Sequence, residues 1–215
     1  MPRLLDLYCG QGGASAGYAA AGWDVTGVDL FAQPRYPFTF VQGDALEYLA
    51  AHGSEYDAIT GGPPCQAFTK AWRIQQRKHP RLIAPTRDLM TATGRPWVIE
   101  NVEEARTELR HPVLLCGAMF GLRTYRHRLF ETGGGFTLTP PGHPVHLAPL
   151  AKMGRPRKPG EFAHYVGNFP GVADARADMG MPWANRDGIR EAIPVPYAKT
   201  IGTQLLNSIR MEVTT

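Results

Sequence analysis

Apolar residues in this chain fall into short runs separated by segments whose apolar positions recur at helical spacing. Residues 3–8 (Arg-Leu-Leu-Asp-Leu-Tyr) read as a first strand. The turn Gly10-Gln11-Gly12-Gly13 follows, and residues 14–21 read as a helix, a βα opening of the nucleotide-binding kind. Residues 24–29 read as a second strand ending in Asp29, and residues 38–41 as a third, closed by Gly43-Asp44. A fourth strand is expected over 56–60, a fifth over 97–101 and a late one around Leu129-Phe130-Glu131. Residues 85–93 read as a helix that begins with proline and stops at Gly94. Strands alternating with helices predict an α/β fold whose sheet is largely parallel, with right-handed crossovers. The pattern breaks beyond Thr132: residues 133–160, with Gly133-Gly134-Gly135 and Pro140-Pro141-Gly142, read as loops. Helical periodicity returns over 198–209, and no internal repeat is visible.

Composition changes this picture little. The 215 residues, 43% hydrophobic and 20% charged, suit one domain with a full core. No apolar run approaches the roughly 18 residues of a membrane span, and Met1-Pro2-Arg3 lacks a signal-peptide layout. A cytoplasmic location is the expectation. Cys9, Cys65 and Cys116 form neither a disulfide framework nor a metal spacing, so a reducing compartment and no metal are expected. The net charge of +4 is compatible with a polyanionic partner, and its distribution is more informative. Between residues 70 and 81 lie Lys70, Arg73, Arg77, Lys78 and Arg81, with His79 and no acid. Such a run is either a solvated face or, placed just after a reactive group, a loop that grips phosphates.

The reactive group is Cys65. Asp57-Ala58-Ile59-Thr60 leads into Gly61-Gly62-Pro63-Pro64-Cys65-Gln66, and Trp97-Val98-Ile99 leads into Glu100-Asn101-Val102. Both groups then sit at the carboxyl ends of parallel strands, where open α/β sheets place their ligand crevice. A thiolate and a carboxyl suit substitution at carbon 5 of a pyrimidine. The thiolate adds at carbon 6 and makes carbon 5 nucleophilic, while the carboxyl meets ring nitrogen 3 and the exocyclic amine of cytosine. Glu100 then needs a raised pKa or a shared proton, and nearby cations or a helix terminus should lower the pKa of Cys65. The competing readings are a buried structural cysteine and a glutamate that caps a loop or pairs with an arginine. Cys9 and Cys116 lack this setting and read as core or turn residues.

At Pro64-Cys65-Gln66 and Glu100-Asn101-Val102 the chain resembles the cytosine carbon-5 DNA methyltransferase family. The resemblance extends to Asp6-Leu7-Tyr8-Cys9-Gly10-Gln11-Gly12-Gly13, with Tyr8 where Phe is usual, and to Arg126-His127-Arg128, with Thr124 where Gln is usual. Ile201-Gly202-Thr203-Gln204-Leu205 is similar to the family's terminal Phe-Gly-Asn-Ser-Val element, with Thr203 for Asn. The matches run in family order from residue 4 to about 206, with a poorly matched stretch near 133–180. The resemblance implies a Rossmann-like S-adenosylmethionine-dependent methyltransferase fold with a short, irregular target-recognition region. It places a catalytic and cofactor-binding domain at 1–132 and 191–215 and target recognition at 133–190, compact as in phage or orphan enzymes.

Its implied donor is S-adenosylmethionine, held by Asp6, Tyr8, Gly10, Gly12, Gly13, Asp29, Asp44, Pro64, Thr203 and Leu205. Asp29 would accept from ribose hydroxyls and Asp44 from an adenine amine; the plainer readings are a helix cap and a turn residue. Arg128 would contact the cytosine carbonyl, and Arg126 would hold a phosphate or support the loop, unless the pair is a surface stripe of cations. The implied partner is double-stranded DNA, with the base flipped out, no membrane and no obligate protein partner, and a monomer is expected. Contacts would come from Gln66, Thr69, Lys70, Arg73, Arg77, Lys78 and Arg81. Arg155 and Arg157, in Gly154-Arg155-Pro156-Arg157-Lys158-Pro159, resemble the core of a minor-groove hook, for which the alternative is a flexible basic linker. Competing functions are the same chemistry on tRNA, a non-catalytic DNA-masking protein, and pyrimidine modification with an altered donor.

Overall fold

The computed structural model describes residues 1–66, 68 and 80–212. These residues form a seven-stranded sheet in the order β3-β2-β1-β4-β5-β7-β6, made of β1 (Arg3–Leu7), β2 (Asp24–Asp29), β3 (Thr39–Gln42), β4 (Ala58–Gly61), β5 (Trp97–Asn101), β6 (Val113–Leu115) and β7 (Arg128–Gly133). The helices are α1 (Gly13–Ala20), α2 (Ala45–His52), α3 (Ile83–Ala92), α4 (Val172–Met179), α5 (Arg186–Glu191) and α6 (Val195–Glu212). β1 to β5 pair in parallel, and β7 runs antiparallel to both β5 and β6. The strand order reverses between β1 and β4, and open α/β sheets bind ligands at such a switch point.

Period-2 alternation distributes the strand residues between two cores. Leu4, Ala58 and Val98 face a layer with Tyr18, Trp23, Tyr197, Ile201 and Leu205 of α1, β2's approach and α6. Their neighbours Leu5, Ile59, Trp97 and Ile99 face the opposite layer with Leu49 of α2 and Met90 of α3. Strands covered on both faces read as continuous apolar runs, which is why they stand out in the sequence.

The fold class and mostly parallel sheet are those expected, and β2 and β5 have the expected bounds. Three differences have local causes. The last helix starts at Val195, because Pro196 is accommodated in its first turn. α2 was not anticipated, although Asp44 caps it by accepting from the amides of Leu46 (2.8 Å) and Glu47 (3.1 Å). α4 and α5 lie in the stretch read as irregular. They share a small third core of Ala163, Tyr165, Phe169, Met179, Met181 and Ile189, and an isolated parallel bridge joins Thr124 to Ala163. Residues 134–160 contain no helix or multi-residue strand.

Candidate active site

The carboxyl ends of β1, β2, β4 and β5 open onto one cleft of about 660 Å³. Register sets its walls. Leu7 lies beside Gly61, and Gly61 beside Ile99, so the residues following each of these meet at one level.

On one side is the Gly-rich turn. Tyr8 and Gly10 have φ of 58° and 51°, and Gly12, which begins α1, has 82°. A Cβ on Gly10 would meet nothing within 4 Å, so glycine leaves open space there in the cleft wall. A Cβ on Gly13 would lie 2.7 Å from Ala192 Cβ, so glycine lets α1 approach the chain before α6. Asp29 Oδ2 accepts from the Gly10 amide and Oδ1 from the Phe31 amide, each at 3.0 Å, which fixes a carboxylate at the lip. Phe31 itself is 71% exposed. Asp44 lines the cleft while one of its oxygens caps α2. Asp6 is buried and accepts from Ser15 Oγ; burial pushes its carboxyl up to about 7, against that hydrogen bond. The Tyr8 hydroxyl pairs with Thr86 Oγ1 at 2.8 Å, and burial raises it to about 12.

On the other side lie Pro64, Cys65 and Gln66 on the loop after β4, with Glu100 and Arg128 on β5 and β7. Asn101 Nδ2 donates to the Pro63 carbonyl at 2.8 Å, tying the cysteine loop to the strand that carries the carboxyl. Glu100 Oε1 is 3.0 Å from Arg128 Nε. A Cβ on Gly62 would come within 3.0 Å of Glu100 Oε2, so glycine leaves the carboxyl room. Burial raises the Glu100 carboxyl, opposed by Arg128 and Arg126. Burial also raises the Cys65 thiol, reinforced by Glu100 and opposed by Arg128. Among the described residues the expected lowering of Cys65 is therefore corrected: the pull of Arg128 is outweighed by desolvation and by the carboxyl beside it.

Other expected site residues stand elsewhere. Arg126 is buried, with φ 33°. Its guanidinium donates to the carbonyls of Ala192 (2.8 Å from Nε), Tyr165 (3.0 Å), Arg190 (2.7 Å) and Ile189 (3.2 Å), so it supports a loop and holds no phosphate. Burial, then the charge of Arg128, lowers it to about 9. Thr203 is exposed on α6, donating to the Lys199 carbonyl at 2.9 Å, and Leu205 is in the core; neither lines the cleft. Arg155 pairs with Glu161 (2.6 Å), and Arg157 is largely buried against Asp178, so neither is a loose minor-groove arm. Arg81 is exposed and pairs with Glu108 at 3.3 Å. Thr69, Lys70, Arg73, Arg77 and Lys78 lie outside the described residues.

The segment that closes the cleft near α6 is instead Gly188 and Arg190 to Ile193. Sequence reading passed over it, although Pro194 and Pro196 mark a loop-to-helix junction. Gln11 fastens this region to the Gly-rich turn: its side chain donates to Asn185 Oδ1 (2.9 Å) and accepts from the Asn185 amide (3.0 Å).

No protein-family model matches the chain. The type II methyltransferase M.HgiDI of Herpetosiphon aurantiacus is 33% identical over 161 residues, covering 61% of this chain and 52% of that protein. The chain thus spans about half the length of that relative. The type II methyltransferase M.HgiGI of the same organism is 32% identical over 124 residues, covering 51% of this chain and 97% of that protein. Among solved structures, a protein described as a DNA modification methyltransferase encoded within an E. coli prophage matches with TM-score 0.61 at 17% identity, covering 98% and 100% of the two chains. The S. pombe Dnmt2 methyltransferase matches with TM-score 0.63 at 13% identity, covering 97% and 99%. At these identities the likeness is one of fold, and the chain has the Rossmann-like fold of these methyltransferases.

Proposed function

This chain belongs to the type II methyltransferases, and from that premise we propose that it methylates carbon 5 of cytosine in duplex DNA through a covalent adduct at Cys65. The reading is carried by one observation: a half-buried thiol and a half-buried carboxyl of raised pKa open onto the same cleft. Methylation of an exocyclic amine needs no protein thiol. S-adenosylmethionine suits the other half of the cleft, where Gly10 leaves space, the Asp29 carboxylate is fixed at the lip and Phe31 offers an apolar face. When bound there it supplies an electrophilic methyl group.

The Cys65 thiol gives its proton to solvent as sulfur bonds to carbon 6, and the ring electrons shift toward carbon 5. Glu100, whose carboxyl burial raises, shares a proton with ring nitrogen 3 and stabilises the enamine. Arg128 orients Glu100 through its ion pair. Once carbon 5 carries the methyl group, loss of its proton to solvent would return electrons to the carbon 5–carbon 6 bond and expel the thiolate, while ring nitrogen 3 gives its proton back to Glu100. A thiol cannot reach carbon 6 inside a base stack, so the nucleotide must be flipped out. We assign 1–132 and 191–215 to catalysis and cofactor binding, and 133–190 to target recognition. The basic run 70–81 and Gln66 are assigned to the DNA backbone, and the enzyme to a bacterial cytoplasm; among the described residues no helix is long and apolar enough to cross a membrane.

The test is incubation with S-adenosylmethionine and duplex DNA containing 5-fluorocytosine, whose fluorine blocks the final elimination. A denaturation-resistant protein–DNA adduct, absent in Cys65→Ala, is expected, with 5-methylcytosine the product on ordinary DNA. Methylation of a base amine without an adduct would overturn the assignment. Preference for tRNA in a competition assay would replace DNA as the substrate.

A further inference from the structure

Away from the cleft, at the β6–β7 edge of the sheet, four side chains converge that the proposed chemistry does not use. Cys116 follows β6, His127 precedes β7, and His143 and His146 come from the proline- and glycine-rich stretch. One ligand atom from each lies within 4.8 Å of all the others. Cys116 Sγ is 3.2 Å from His146 Nε2. His127 Nδ1 is 3.0 Å from Glu103 Oε2, whereas its Nε2 is buried without a hydrogen-bond partner. The His146 ring stacks on Tyr125 at 3.7 Å, which fixes its plane.

A thiol–imidazole hydrogen bond with stacked rings accounts for Cys116 and His146 alone. It leaves His127 Nε2 buried and unpaired, which is destabilising. His143 joins the group through tilted ring contacts with His146 and His127, at 4.9 and 5.8 Å between centroids. A tetrahedral zinc ion, with Zn–S near 2.3 Å and Zn–N near 2.0–2.1 Å, holds its ligand atoms roughly 3.3–3.8 Å apart. The cluster needs a contraction of only about 1 Å in its widest pairs to match that. Glu103 supplies the carboxylate that commonly fixes the tautomer of a metal-bound imidazole and turns the other nitrogen inward.

We propose that Cys116, His127, His143 and His146 bind a zinc-class divalent ion in a closed tetrahedral site. One thiolate and three imidazoles suit zinc far better than magnesium or calcium, which take oxygen ligands. Four protein ligands leave no open position, so the ion is structural. It fastens the stretch carrying His143 and His146 to the sheet edge, next to Arg128 and its partner Glu100. Binding converts the Cys116 thiol to a thiolate and releases its proton to solvent.

The full chain, purified with a tag free of histidine from zinc-supplemented cells, should carry about one zinc per chain by plasma mass spectrometry. After zinc is removed by a chelator, cobalt(II) should produce the strong visible bands of tetrahedral coordination with a thiolate charge-transfer band. Cys116→Ser should remove the charge-transfer band, and the double variant His143→Ala/His146→Ala should lose at least ~10-fold in affinity. Circular dichroism follows the fold of each variant, and the double variant alters only exposed side chains. Zinc below about a tenth of an equivalent together with no saturable cobalt spectrum in the parent chain would overturn the proposal. So would a cobalt spectrum unchanged in both variants.

Discussion

Cys65 in the free protein holds its proton more tightly than an ordinary cysteine, because burial and the neighbouring Glu100 outweigh Arg128. Its alkylation by iodoacetamide, followed by peptide mass spectrometry, should keep accelerating beyond about pH 8.5, where an ordinary thiol is half ionised. Glu100→Gln removes one of the raising charges and should move the midpoint down. A rate that levels below about pH 7.5 in the parent would show that an unseen cation controls the thiol. Asp6 offers a second test. Burial raises its carboxyl to about 7, against about 4 when exposed. Its favourable contribution is full below about pH 4 and is lost as pH rises through about 7. Asp6→Asn cannot ionise and still accepts from Ser15. Relative to the parent, the variant should gain about 2–3 kcal/mol of stability between pH 5 and pH 8. Urea midpoints at the two pH values measure this, and a pH-independent difference would mean that Asp6 does not titrate in that window.

At the scale of elements, the packing of α1 on α6 depends on glycine. A Cβ on Gly17 would fall 2.5 Å from both Ala198 Cβ and the Val195 carbonyl oxygen and 2.6 Å from the Lys199 amide, and backbone cannot swing aside as a side-chain tip can. Gly17→Ala should therefore destabilise by about 1–3 kcal/mol, the usual range for overpacking, although alanine is the better helix former. An unchanged thermal midpoint would show that the two helices separate freely. Trp23 adds to the same contact by donating from Nε1 to the Gly202 carbonyl at 2.9 Å. The glycine-rich opening of α1 was visible in the sequence as a turn. The close approach of α6 to Gly17 was not, because helical periodicity says which face is buried and not what lies against it.

Over the whole molecule, Arg126 joins the approach to β7 to the chain around Tyr165 and the segment 189–192, of which Arg190 to Ala192 line the cleft. Arg126→Met preserves length but leaves those carbonyls without their donor, and a loss of about 3–5 kcal/mol is expected. Hydrogen exchange should quicken in 189–192 before the sheet opens. Protection unchanged throughout that segment would show that α5 and the start of α6 hold the cleft wall without the arginine.

The sequence by itself determined the central sheet and the meeting of Cys65 with Glu100. Those features rest on local rules: continuous apolar runs make covered strands, glycine-rich turns end them, and residues just past parallel strands share one edge of the sheet. Tertiary structure alone decided the fate of groups whose partners are distant. Arg126 and Arg128 are two residues apart, yet one is turned into backbone carbonyls and the other toward Glu100, a division set by a positive φ at Arg126. Likewise the cleft is closed by 188–193 and not by Thr203 and Leu205, since the helix start, three residues earlier than periodicity placed it, fixes which residues precede it. Cys116 gave no recognisable metal spacing, because its companions lie across a strand junction and a long loop. Only the pairing of β6 with β7, and the chain's return past Tyr125, bring that thiol to three imidazoles.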